Sequence, residues 1–239
     1  MLPVILTLAV TTHAPGPSHC ILAFSKTAGY RHDSIPFARK AILDMATERG
    51  WSVTFTEDAS FIDANRLKGF DAVVFISTTG KFLDSKQEKA LMGFIHGGGG
   101  FVGIHAAADA EYEWPWYGKL VGAFFLAHPA QQDAVVKIED TADSSTQHLP
   151  NPWKRHDEWY DYRTDPRADV HVLASLDQSS YTGSKMGADH PIMWRHEFEG
   201  GRSWYTGMGH TIESYQDPLY LKMLAEGIEW ACGASKRAH

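Results

Sequence analysis

A chain of 239 residues with 44% hydrophobic content is long enough for one α/β domain with a substantial buried core. Its net charge of −7, with 13 histidines counted as neutral, and the lack of any Lys/Arg-rich block exclude the electrostatic footprint of a nucleic-acid binder and favour a small polar or neutral ligand. The two cysteines, Cys20 and Cys232, lie near opposite ends without metal-ligand spacing, which argues against a disulfide framework or a cysteine-based zinc site and for two small buried hydrophobes.

Residues 1–19, MLPVILTLAVTTHAPGPSH, hold an apolar run at 2–10 followed by small and turn residues. The run resembles the core of an export signal, yet no basic residue precedes it and Pro15 would follow the Thr-His-Ala cleavage candidate. Two expectations follow: an export signal and a periplasmic or secreted protein, or an idle tail and a cytoplasmic one. The run is too short to span a bilayer, and no second membrane candidate follows. One domain is expected over 20–233, with a C-terminal tail over 234–239.

The apolar run at 20–25, bounded by turn residues, predicts a buried strand. After the loop KTAGYRHDS, Asp33 or Ser34 is placed to cap a helix with Pro36 in its first turn, stopped by Gly50 after Arg49. WSVTFTED alternates like a second strand. The segment 70–78, FDAVVFIST, is apolar throughout, as a parallel strand covered on both faces would be. A capping box is expected from Ser85 to Glu88, opening a helix that runs to His96 and ends at Gly97. The next strand covers 100–104. This alternation predicts a doubly wound, mostly parallel α/β sheet.

The second half changes character. DAVVKIED, WYDYR and VHVLASLD read as strands, and PIMWRHEFEGGRSWYTGMG as a hairpin turning at Gly200-Gly201, so antiparallel additions are expected. The last helix has Asp217 as cap and Pro218 at its first position. Tyr220, Met223, Leu224, Gly227, Ile228 and Ala231 share its apolar face.

Ligands of open α/β sheets bind beyond the carboxyl ends of the strands. Collecting the residues there gives His32 after the first strand, Thr78 and Thr79 after the third, His105 and Asp109 after the fourth, and His210 after SWYTGMG. Each histidine taken singly is more often a satisfied polar residue than a ligand or base; three at one edge change the balance. The glycine run 97–100 precedes its strand and lacks a following Gly-Lys-Ser/Thr, so it reads as a helix cap and tight turn, and no nucleotide cofactor is expected. At the strand's other end His105 stands where a nucleophile elbow carries serine or cysteine, a position from which it can ligate a metal or move protons. His128 follows an aromatic segment. His156 and Glu158 would share one face of an extended strand, with Asp157 and Trp159 on the other. Asp189-His190-Pro191 reads as a turn. Tyr160 and Trp194, with Trp114, Trp116, Trp159 and Tyr205, offer faces for stacking on a sugar or for filling the core.

Six motifs then line up in order: T-x-G-Y-R-H-D-S-I at 27–35, G-G-G-F-V-G-I-H-A-A-A-D ending at Asp109, L-V-G-A-F-F-x-A-H-P at 120–129, D-E-W-Y at 157–160, D-H-P-I-M-W at 189–194 and G-R-S-W-Y-T-G-M-G-H-T ending at Thr211. Together they resemble the trehalose-utilisation, or ThuA-like, family over about 20–233. The resemblance implies a flavodoxin-like fold similar to class I glutamine amidotransferases. It also implies a role in catabolism of trehalose or a related disaccharide at the level of 3-keto-glycosides made by a partner sugar oxidoreductase. The site it implies is lined by His32, His105, Asp109, His128, Glu158 and His210. His105 departs from the amidotransferase pattern, whose elbow residue is cysteine, so glutamine hydrolysis through a thioester lacks its nucleophile.

The leading expectation is a hydrolase, lyase or isomerase acting on a keto-sugar or glycoside. His105, Glu158, Asp109 and His32 would be catalytic, and Thr78, Thr79, Tyr160, Trp194, His128 and His210 would bind substrate. A divalent metal such as zinc would sit on His105, His210 and Glu158. The alternatives are a non-catalytic sugar-binding protein and an amidase using Thr78 or Thr79, neither of which lies on an elbow.

Overall fold

The computed structural model describes residues 18–234. The apolar run at 2–10 and its two readings lie outside the described residues.

In chain order the elements are β1 (Cys20–Phe24), α1 (Ile35–Arg49), β2 (Ser52–Thr56), α2 (Ala64–Leu67), β3 (Ala72–Ile76), α3 (Ser85–His96), β4 (Gly100–Ile104) and α4 (Pro115–Val121). They continue with β5 (Phe125–Ala127), β6 (Gln132–Ile138), β7 (Trp153–Asp157), β8 (Asp161–Tyr162), β9 (His171–Leu176), β10 (Pro191–Phe198), β11 (Gly201–Thr206) and α5 (Pro218–Cys232). Nine strands form one sheet in the order β2-β1-β3-β4-β11-β10-β9-β6-β7, and β5 pairs with β8 apart from it. From β2 to β11 the pairings are parallel, and from β11 to β7 antiparallel. The α/β expectation with antiparallel additions therefore holds, but the sheet as a whole is mixed rather than mostly parallel. β11 is the hinge between its two regimes.

Helices cover the parallel half, which is why β3 and β4 are buried along their whole length. α5 packs so closely that a Cβ on Gly100 would lie 2.2 Å from the Ala231 carbonyl oxygen. This contact explains the glycine at the mouth of β4, where the run 97–100 leaves α3 and enters the sheet. All six residues expected on the apolar face of α5 are buried, and the Asp217 carboxylate accepts from the Leu219 N–H as a cap. Among the described residues no helix is long and apolar enough to cross a membrane.

Several local expectations shift. The cap of α3 is Asp84, one residue before the expected serine: its carboxylate accepts from the N–H groups of Lys86 and Gln87, and the Gln87 amide oxygen accepts from the Asp84 N–H. An ionised acceptor wins over the neighbouring hydroxyl. Ser34 precedes α1 but does not cap it, and its hydroxyl instead donates to the Gly209 carbonyl. The hairpin turns at Glu199-Gly200, with φ of +47° and +94°, while Gly201 already pairs with Phe198. Two residues in left-handed geometry match the twist of a two-residue hairpin. The strand expected in WYDYR shrinks to β8, and the longer β7 lies just before it.

Candidate functional site

β4 delivers its chain directly into a tight turn over His105–Ala108, and His105 sits there at φ of +49°. A branched or bulky residue rarely adopts that conformation, and the three small alanines that follow let the turn bury itself. The His105 ring is fully buried, with Nδ1 2.8 Å from the Gly207 carbonyl oxygen and the face of Tyr160 packed on it at 4.1 Å between centroids. The carbonyl can only accept, so Nδ1 carries the proton and Nε2 presents a lone pair in the neutral ring.

Three more side chains converge on that lone pair. Glu158 Oε2 lies 3.3 Å from His105 Nε2 and 3.1 Å from His210 Nδ1, and the two histidine nitrogens are 3.2 Å apart. His32, buried in the loop between β1 and α1, stands edge-on to both rings at 4.8 and 5.0 Å between centroids. One donor atom from each of His32, His105, Glu158 and His210 falls within 4.8 Å of all the others. The second oxygen of Glu158 meets Nδ1 of the half-exposed His128 at 3.2 Å.

The electrostatics sort these groups. Burial, reinforced by the neighbouring His105 and His210, pushes His32 down to about 3, so it is neutral. Burial alone would raise Glu158, but the two imidazoles of His105 and His210 beside it outweigh burial and hold the carboxylate well below the usual range. Burial would lower His210, and the Glu158 carboxylate reverses that, leaving the imidazole raised. Asp109 stands apart: burial pushes its carboxyl up, opposed only in part by the Tyr112 hydroxyl, which donates to Oδ1 at 2.5 Å.

Asp157 underlies the arrangement. Fully buried, its carboxylate accepts from the N–H of Glu158 (2.9 Å), Gly209 (2.9 Å) and His210 (3.0 Å) and from the Ser214 hydroxyl (3.1 Å). One side chain thus anchors the segments that carry two of the four clustered groups.

The cluster forms one wall of a cavity of about 300 Å³. Tyr30, Phe125 and Tyr160 give it aromatic surface, and Asp109, His128 and Gln131 give it further polar groups. A larger groove of about 640 Å³ runs between α1 and α5, but it gathers no histidine cluster, and three of its charged residues are spent in the ion pairs Lys40–Asp44 and Arg49–Glu226. The smaller cavity holds the reactive groups.

Of the residues expected at the site, His32, His105, Asp109, His128, Glu158, Tyr160 and His210 come together. Three do not. Thr78 is buried away from the cavity lining. The Thr79 hydroxyl donates to the Tyr30 carbonyl at 2.7 Å and accepts from the Gly29 N–H, so it latches the loop rather than a ligand. Trp194 is fully buried, with Nε1 donating to the Val121 carbonyl and its ring against Tyr205. The pairing of His156 with Glu158 also fails, because β7 ends at Asp157: His156 stays exposed on Asp133 while Glu158 turns inward. Sequence reasoning missed Tyr30, Phe125, Gln131 and Asp157. Only Asp157 left a signal, in the inward alternation of Trp153, Arg155 and Asp157 along β7.

The family model described as ThuA, trehalose utilisation, matches residues 20–231. A protein of Bacteroides uniformis described as ThuA-like has a similar structure, with a TM-score of 0.79 and 24% identity over 95% of this chain and 96% of its own. A second ThuA-like protein, from Parabacteroides merdae, gives a TM-score of 0.74 and 18% identity over 93% of each chain. A β-galactosidase of Bacillus circulans sp. alkalophilus gives 0.55 and 12% identity over 88% of this chain and 30% of its own, a likeness of fold alone. No curated protein matches the sequence.

Proposed function

The chain belongs to the ThuA, trehalose-utilisation, family, and from that membership we propose that it is an enzyme of disaccharide catabolism acting on a 3-keto-glycoside supplied by a sugar oxidoreductase. The observation that carries this reading is the convergence of His32, His105, Glu158 and His210 beside a raised carboxyl, Asp109, in a cavity whose volume suits one sugar unit. Tyr30, Phe125 and Tyr160 offer it the aromatic faces on which sugar C–H surfaces stack.

A ketone acidifies the C–H bond next to it, so the chemistry needs one base and one pole that takes up charge at the carbonyl oxygen. Asp109 supplies the base, because burial has moved its carboxyl up from the ordinary aspartate range. The histidine cluster supplies the pole, with His210 as its most readily protonated member. Glu158 is too acidic to serve as general acid, and its work is to hold His105 and His210. Loss of a proton next to the ketone also opens elimination of a glycosidic oxygen one carbon further on. We read the parallel half as flavodoxin-like, supported by the strand order β2-β1-β3-β4. Thioester chemistry has no support: Cys20 opens β1 at the opposite end of the strand from the cluster, and Cys232 is buried in α5.

The test is turnover of a 3-keto-disaccharide in deuterated water, read by mass spectrometry. His105→Ala and Asp109→Asn are each expected to cut turnover by ~10²–10⁴-fold, with Asp109→Asn also losing deuterium incorporation next to the carbonyl. Undiminished turnover in folded His105→Ala sinks the reading, and saturable binding without product assigns the protein to sugar binding alone.

A further inference from the structure

The contacts among His105, Glu158 and His210 do not close as a hydrogen-bond network. In the neutral ring the His105 proton is on Nδ1 and spent on Gly207, so only His210 Nδ1 has a proton to offer, and it can satisfy one neighbour. The 3.3 Å approach of His105 Nε2 to Glu158 Oε2 then sets two lone pairs face to face in a buried place. His32 adds a second irregularity, since its Nδ1 is buried without a hydrogen-bond partner. Unsatisfied buried acceptors are costly and rare.

A cation removes the first problem, and the donor atoms gathered there include one nitrogen of His32. Bonds of ~2.0–2.2 Å at tetrahedral angles set neighbouring donor atoms roughly 3.3–3.6 Å apart. Of the three separations, 3.3 Å meets that range and 3.1 and 3.2 Å fall just short of it, so a small outward shift of the donors would admit the ion. The surroundings also match those of metal-binding histidines, which hand their other ring nitrogen to a carbonyl or amide. His105 gives Nδ1 to Gly207; His210 Nε2 lies 2.8 Å from the Gln131 amide nitrogen, and turning that amide over would bring its oxygen there to accept from the ring. Three imidazoles and one carboxylate suit first-row transition ions, not the all-oxygen tastes of calcium or magnesium.

We infer that His32, His105, Glu158 and His210 form a site for one divalent transition-metal ion of the zinc class. His32, expected from the sequence as a catalytic residue, thereby becomes a ligand. Three of the four residues line the cavity, so the ion is within reach of a small molecule's oxygen. The inference deepens the proposed function by giving the carbonyl-engaging pole an ion and rests on that reading for its role, but ion binding is measured without any sugar.

Tag-free full-length protein, stripped with chelator, is titrated with Zn²⁺ by calorimetry, and its metal content after loading is read by elemental analysis. We expect about one ion per chain. Glu158→Gln and His210→Ala should each weaken binding by ~10-fold or more, while His156→Ala, exposed on Asp133, leaves it unchanged. The isosteric glutamine and the partly exposed His210 keep both variants foldable, with circular dichroism as the check. A folded wild type without zinc-dependent heat, or affinity unchanged in both variants, overturns the site. Zinc binding without keto-sugar turnover would overturn the proposed function and leave the site standing. Turnover undiminished in metal-free protein would overturn the ion's role at the carbonyl and leave the function standing.

Discussion

His105 and Glu158 meet at 3.3 Å, yet the two halves of the sheet bring them there by different means. In the parallel half, the backbone does the positioning: β4 is buried and paired on both edges, and a strained turn at φ of +49° aims the ring. In the antiparallel half, the strand ends before the residue that matters, and a buried carboxylate, Asp157, gathers the N–H groups of Glu158, Gly209 and His210. The parallel half is therefore sensitive to volume and close approach, whereas the antiparallel half is sensitive to charge and hydrogen bonding.

Substitutions can break that contrast. The largest loss is expected from Gly100→Ala, whose new methyl meets the Ala231 carbonyl oxygen, a backbone atom, at 2.2 Å. It should cost about 3 kcal/mol in urea denaturation, since neither strand nor helix can yield; a loss under half of that would mean β4 is less rigid than argued. Asp157→Asn keeps the shape but leaves one amide oxygen for the donors that now share two carboxylate oxygens. It should cost about 2 kcal/mol and also lower activity, because the loops of Glu158 and His210 both loosen. Full activity in the folded variant would remove Asp157 from the positioning role. At the hairpin, Gly200→Ala places a methyl at φ of +94° and should cost about 1 kcal/mol without touching activity. Smallest of all, Trp194→Phe is expected to leave KM within about twofold, as fits a tryptophan whose Nε1 is spent on Val121.

The same contrast explains what could be read from the residues. In the parallel half, the carboxyl-end rule collected His32, His105, Asp109 and His210 because a strand, a turn and a histidine follow one another in sequence. Thr79 satisfied the rule and still serves the fold, because a hydroxyl beside a loop carbonyl finds its partner locally. In the antiparallel half, everything hung on where β7 stops. One residue of difference there separates an exposed His156 from a buried Glu158, and strand alternation carries no information past the strand's end. Trp194 shows the matching limit for aromatics. Period two tells that successive side chains face opposite ways, but both faces of a central strand are interior, so an aromatic there reads as easily for a site as for a core. The stopping points of caps and turns were the least legible, as the one-residue shifts at Asp84 and Glu199 illustrate.

The place of β11 carries a consequence for the order of assembly. The last strand made lies fifth in the sheet, between β4 and β10, and its pairing with β4 joins residues about a hundred positions apart. A growing chain that has not yet reached residue 201 holds β4 with one open edge, apolar throughout, the kind of edge that recruits wrong partners. Gly207, which fixes the His105 proton, and His210 both follow β11 directly. Synthesis therefore closes the sheet and completes the cluster in one step, since a shorter nascent chain lacks both His210 and the Gly207 carbonyl.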